Sequence, residues 1–167
     1  LVAEGAKVLA VDRDAERGAE IARAHGERAA FLEADLRDPG IGATVREAAL
    51  DALGGVDALV NNAHASVQAP LLEHTDEMLA LSMETGLHAT WRLMVACHDL
   101  LARDAGAVVN FGSGAGLQGQ PTQASYAAAK EAIRGLSRVA ANEWAADGIR
   151  VNVVCPIAET EGVTAWA

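Results

Sequence analysis

Aromatic residues are scarce in this chain. They make up 4% of its 167 positions, and Tyr126 is the single tyrosine. A core without them must be built from Ala, Val, Leu and Ile, which fits the 51% hydrophobic content and excludes an unfolded chain. Basic side chains are also few: 13 Lys and Arg face 23 Asp and Glu, for a net charge of −10. No basic cluster interrupts that excess, so a phosphate backbone would be repelled and no nucleic-acid partner is expected. The two cysteines, Cys97 and Cys155, form no Cys-x-x-Cys pair and read as buried free thiols in a reducing compartment. His25, His64, His74, His88 and His98 show no ligand-spaced cluster, so no metal site is expected. No apolar run reaches the ~18 residues of a membrane span, and no charged-then-apolar leader opens the chain. The expected location is the cytoplasm, with no membrane partner.

What the chain does contain is a regular alternation. Short apolar runs at Lys7–Val11, Ala29–Leu32, Val56–Val60, Ala107–Phe111 and Ile149–Val154 read as strands. Helical stretches lie between them. One runs from Asp14, an N-cap, to His25, with Gly26 as the stop; a second runs from Pro39 to Leu53. A third runs from a Thr75 cap to Ala102, and a fourth from Thr122 to Ala146. The strands are continuous apolar runs, as expected where both faces of a sheet are covered. The fold class that follows is α/β, with right-handed crossovers and a doubly wound parallel sheet in one domain spanning residues 1–167. Ligands of such sheets bind beyond the carboxyl ends of the strands, where the polar residues singled out below are found.

Tyr126 stands four residues before Lys130, one of only two lysines, and Ser113 stands thirteen residues before Tyr126. A free phenol titrates near 10, and bringing it to neutrality takes about 4 kcal/mol. One unit charge at ~4–5 Å supplies roughly that at an effective dielectric of 20. Positions i and i+4 share a helix face, so the Lys130 ammonium can approach the phenol. A serine hydroxyl at a strand end can polarise a substrate oxygen. Tyr and Lys at this spacing also simply pack and snorkel on ordinary amphipathic helices. The run Gly114-Ala115-Gly116-Leu117-Gln118-Gly119 matches Gly-x-Gly-x-x-Gly, but Pro121 follows and no acid stands at the end of a next strand. It reads as a flexible loop beside the site.

Taken in order, Asp12 after a strand, Ala34-Asp35-Leu36, Val56 to Ala63 ending in Asn61-Asn62-Ala63, Ser113, Tyr126-x-x-x-Lys130 and Ile149 to Pro156 resemble the short-chain dehydrogenase/reductase family over essentially the whole chain. The resemblance implies a Rossmann-like sheet and an oxidoreductase that passes a hydride between a nicotinamide cofactor and an alcohol or carbonyl substrate. Tyr126 would be the general acid/base. Lys130 would lower its pKa and hold the nicotinamide ribose, and Ser113 would hold the substrate oxygen. Asp12 would bind the adenosine ribose, Asp35 and Leu36 would flank the adenine, Asn61 and Ala63 would line the cleft, and Pro156 and Ile157 would sit near the nicotinamide. A carboxylate at Asp12 accepts from a 2′-hydroxyl and repels a 2′-phosphate, favouring NAD over NADP; Asp12 also reads as an ordinary turn residue. The resemblance further implies a homo-oligomer, a dimer or tetramer, formed partly through the helix with Ile133, Leu136, Val139, Ala140 and Trp144, residues that could equally face their own sheet.

The chain departs from that pattern in several places. The first strand with its Thr-Gly-x-x-x-Gly-x-Gly phosphate loop and the final strand are not in the sequence, so these 167 residues alone are expected to bind NAD weakly or not at all. His64 stands where Asn-Asn-Ala-Gly has glycine, and Ile157 where a glycine follows Pro156. Near Met83–Thr85 the family's catalytic asparagine is missing, and Thr85 occupies the matching position. These departures leave open a second reading, a domain that keeps the fold only for binding or assembly.

Overall fold

A computed structural model describes residues 1–156, so Ile157 lies outside the described residues. Strands β1 (Val8–Asp12), β2 (Ala29–Glu33), β3 (Ala58–Asn61), β4 (Ala107–Phe111) and β5 (Arg150–Val154) alternate with helices α1 (Ala15–His25), α2 (Ile41–Leu53), α3 (Asp76–Ser82), α4 (Ala89–Leu101), α5 (Gly114–Gln118) and α6 (Ala124–Glu143). All strand pairings are parallel. They form two ladders among the described residues, β1–β2 and β3–β4–β5, rather than one continuous sheet. β1 and β3 are not hydrogen-bonded to each other, which is the partial Rossmann-like arrangement expected of a sheet lacking a central strand.

Local chemistry places the elements. Asp14 caps α1 by accepting from the Arg17 N–H at 3.0 Å. Gly54 ends α2 in the left-handed conformation, φ 82°, which glycine adopts without a Cβ penalty. Two apolar clusters hold the layers. Ile41, Val45 and Leu93 are buried between α2 and α4 and take in Val11, Leu32, Leu36 and Leu59 from both ladders. Met94, Cys97, Leu101, Val108, Ala140 and Ile149 fill the space between α4, β4 and α6. Arg46 on α2 and Asp99 on α4 close the first of these with a 2.6 Å ion pair.

Four expectations need correction. The glycine run after β4 is not a flexible loop: Gly114–Gln118 form a short helix whose N-cap is Ser113, which accepts from the Ala115 N–H at 3.1 Å. The last long helix starts at Ala124 and not Thr122, because Thr122 sits at φ 68°, outside the helical region. The helix expected from Thr75 to Ala102 is interrupted by a π-helical turn at Met83–His88. Cys97 is buried, and burial pushes its thiol up to about 11, but Cys155 is exposed just beyond β5.

Candidate active site

The carboxyl ends of β3 and β4, the start of α6 and the segment after β5 converge on a cleft of about 390 Å³. Asn62, His64, Ser66, Tyr126, Lys130 and Pro156 are among the residues that line it. Tyr126 is half-buried on the first turn of α6. One turn on, Lys130 is 4% exposed, with Nζ 5.5 Å from the centre of the Tyr126 ring. Burial pulls the Lys130 ammonium down to about 8, and Cys155 opposes the shift. Burying a cation beside a phenol costs free energy of desolvation.

The other expected site residues are distributed as follows. Ser113 stands one residue past Gly112, which lines the cleft, and its Oγ accepts from Ala115, so its own proton is available to donate. Asn61 lies just outside the lining. Its Nδ2 donates to Asn110 Oδ1 at 2.8 Å, and its own Oδ1 is buried without a partner among the described residues. Ala63 is exposed beside it. Asp12 is exposed at the end of β1 and accepts from the Asp14 N–H at 3.0 Å, so one carboxylate oxygen serves the turn. Asp35 is gripped by the Arg37 guanidinium at 2.8 Å, which holds its carboxyl down to about 2. Leu36 packs into the apolar cluster under α2.

Several residues that support the cleft were not anticipated. Asn110, fully buried on β4, donates to Ser137 Oγ at 2.8 Å, and Ser137 donates to the Ile133 carbonyl at 2.7 Å. With Asn61 this makes a polar chain from β3 through β4 into α6 at Ser137, about two turns beyond Lys130. A polar residue in the apolar run Ala107–Phe111 was the available signal. Thr85 accepts from the Ala65 N–H at 3.0 Å and donates to the Leu81 carbonyl at 2.7 Å. Ser82 Oγ approaches the Ala65 carbonyl at 3.4 Å, so the loop after β3 is pinned to the π-helical turn. His74 Nε2 accepts from the Ser125 N–H at 3.3 Å and lies 2.9 Å from Ser125 Oγ, which fixes the start of α6 next to Tyr126.

Comparison with known proteins identifies the family. The sequence pattern described as short chain dehydrogenase matches residues 1–165. The chain belongs to the short-chain dehydrogenase/reductase family. That family comprises oxidoreductases that use NAD(P). The 12alpha-hydroxysteroid dehydrogenase of a Clostridium species is 54% identical over 108 residues, covering 64% of this chain and 42% of that protein. The inactive 2-(S)-hydroxypropyl-CoM dehydrogenase 2 of Xanthobacter autotrophicus is 40% identical over 159 residues, covering 93% of this chain and 68% of that protein. The crystal structure of a short-chain dehydrogenase from Streptomyces avermitilis superposes with a TM-score of 0.89 at 31% identity, covering 95% of this chain and 59% of that one. The short-chain dehydrogenase/reductase chain thus spans 42% of the first of these relatives and 68% of the second. Among the described residues no helix is long and apolar enough to cross a membrane.

Proposed function

We propose that this protein acts as an NAD-dependent oxidoreductase that interconverts an alcohol and a carbonyl compound, with Tyr126 as general acid/base. The observation that carries the reading is the Tyr126–Lys130 pair. A lysine is buried to 4% exposure to place its charge 5.5 Å from the centre of the sole tyrosine ring, inside a cleft at the strand ends. The residues present suit the cofactor. Asp12 offers an exposed carboxylate at the end of β1, and Asn61 Oδ1 is a buried acceptor without a partner beside the cleft. When bound, NAD supplies the hydride acceptor or donor. Tyr126 moves the proton at the substrate oxygen. The Lys130 charge stabilises the phenolate as the proton leaves, and its N–H donors hold ribose hydroxyls. Ser113, whose Oγ accepts from the Ala115 N–H and keeps its own proton free, donates to the same substrate oxygen. Asp12 excludes a 2′-phosphate by charge and favours NAD over NADP.

The test uses protein expressed from the complete reading frame and follows alcohol-dependent NADH formation. Tyr126→Phe is expected to lower kcat by roughly 10²–10⁴-fold. Unchanged turnover would overturn the assignment, and a higher kcat/KM with NADP would overturn the argument from Asp12. The second reading, a binding or assembly domain, draws support from the similar Xanthobacter protein named inactive and from His64 in the glycine position. A wild-type protein without turnover under these conditions would favour it. A homo-oligomer is part of the proposal. Ile133 and Ala140 are buried in the chain's own core, but Val139 on α6 and Trp91 and Val95 on α4 remain more than half exposed and offer an apolar face to a second copy.

A further inference from the structure

His64 is the side chain that the family pattern does not account for, and its surroundings are built for it. The imidazole lines the cleft and meets the Tyr126 ring edge-on, with ring centres 5.0 Å apart and planes at 63°. Behind it stands Gly86 on the π-helical turn. A Cβ at that position would come within 2.7 Å of His64 Cε1 and 2.9 Å of Nδ1, so only glycine leaves room for the ring. The adjacent Ala65 backbone is held by Thr85 of the same turn and by Ser82 at the end of α3, which fixes the direction in which His64 leaves the loop. Both ring nitrogens are buried without a partner among the described residues. An imidazole that desolvated does not serve as a base. Burial, reinforced by the Lys130 charge, pulls it down to about 4, and protonating it at neutral pH would cost about 4 kcal/mol. The ring acts instead as a neutral, shaped wall.

We propose that His64 is a positioning residue: seated over Gly86, its ring fixes the Tyr126 phenol and shuts water out from beside Lys130. This rests on the reading of Tyr126 and Lys130 as the working pair. Among the described residues, the groups facing Lys130 are Tyr126 on its own helix, His64 on the loop after β3 and Cys155 beyond β5. Removing the imidazole opens a channel for water to the ammonium. Replacing it with a ring of similar size keeps the channel closed even though both nitrogens are gone.

The chain has two lysines, Lys7 and Lys130, so lysine labelled at Cε gives two resonances, which Lys130→Met assigns. Their pH titration reads the microenvironment of Lys130 without any turnover. In His64→Gly the Lys130 midpoint is expected to rise from about 8 toward the ordinary 10.5, whereas in His64→Phe it stays near its wild-type value. The single Tyr126 ring signal should broaden or average in the glycine variant and stay sharp in the phenylalanine variant. A midpoint unmoved in His64→Gly, with the fold intact by circular dichroism, would overturn the proposal. So would a midpoint that rises equally in His64→Phe. Should Tyr126→Phe leave turnover unchanged while the Lys130 midpoint still follows the ring at position 64, the functional reading fails and the positioning stands.

Discussion

Lys130→Met separates what the site costs from what it does. Lys130 is 4% exposed, and its ammonium titrates at about 8 in place of 10.5. That drop is worth about 3 kcal/mol against the charged folded state. The Tyr126 ring 5.5 Å from Nζ returns about 1–2 kcal/mol as a cation–π contact. Methionine has similar length, fills the same space and carries no charge. The variant should therefore be more stable than wild type by about 1–2 kcal/mol at pH 7, a rise of several degrees in Tm. The sign against pH follows from the direction of the shift. The folded state binds the lysine proton less well than the unfolded chain. The penalty is therefore complete below about pH 8 and is relieved as pH rises toward 10.5. The advantage of Lys130→Met should shrink across that window and vanish above it. Urea denaturation of both proteins between pH 6.5 and 10.5 measures it, and taking the difference cancels the other groups that titrate there. A variant less stable than wild type, or a difference constant with pH, would refute the reasoning.

Two further perturbations address packing and assembly. Gly42→Ala places a Cβ 2.7 Å from the Arg92 carbonyl oxygen and 3.0 Å from Ala96 Cβ, where backbone must move, and should destabilise by about 1–3 kcal/mol. Gly135→Ala, inside α6 with nothing within 4 Å, should stabilise by about 0.5–1 kcal/mol; thermal denaturation yielding the same sign for both would contradict the packing described. Trp91→Glu puts a charge into the exposed apolar face of α4 and α6 and should leave a monomer in sedimentation velocity. An unchanged mass would remove that face as the contact between copies.

The parts of the fold legible in the sequence are those marked by local chemistry. Asp14 and Gly26 bound α1 because a carboxylate caps a helix start and glycine ends it, and β4 runs from Ala107 to Phe111 as its apolar stretch does. The π-helical turn had no such marker. Residues 76–101 keep helical periodicity throughout, and the extra residue is absorbed where Thr85 and Ser82 bond sideways to Ala65. The short helix after β4 was hidden by its glycines, and Ser113 reveals it only once seen as a cap. Within the site, the spacing of Tyr126 and Lys130 was readable because i and i+4 share a face. The pairing of His64 with Gly86 was not, since it joins a loop to a helix 22 positions away, and nothing local announces that the glycine is vacant space for a ring.

The two ladders leave β1–β2 joined to β3–β5 through side chains instead of a shared run of backbone hydrogen bonds. Ile41, Val45 and Leu93 are the rivets, with Val11 and Leu32 on one side and Leu59 on the other. Asp12 stands at the end of one ladder and Lys130 lines a cleft at the ends of the other, so a single ligand long enough to touch both would bridge the two ladders.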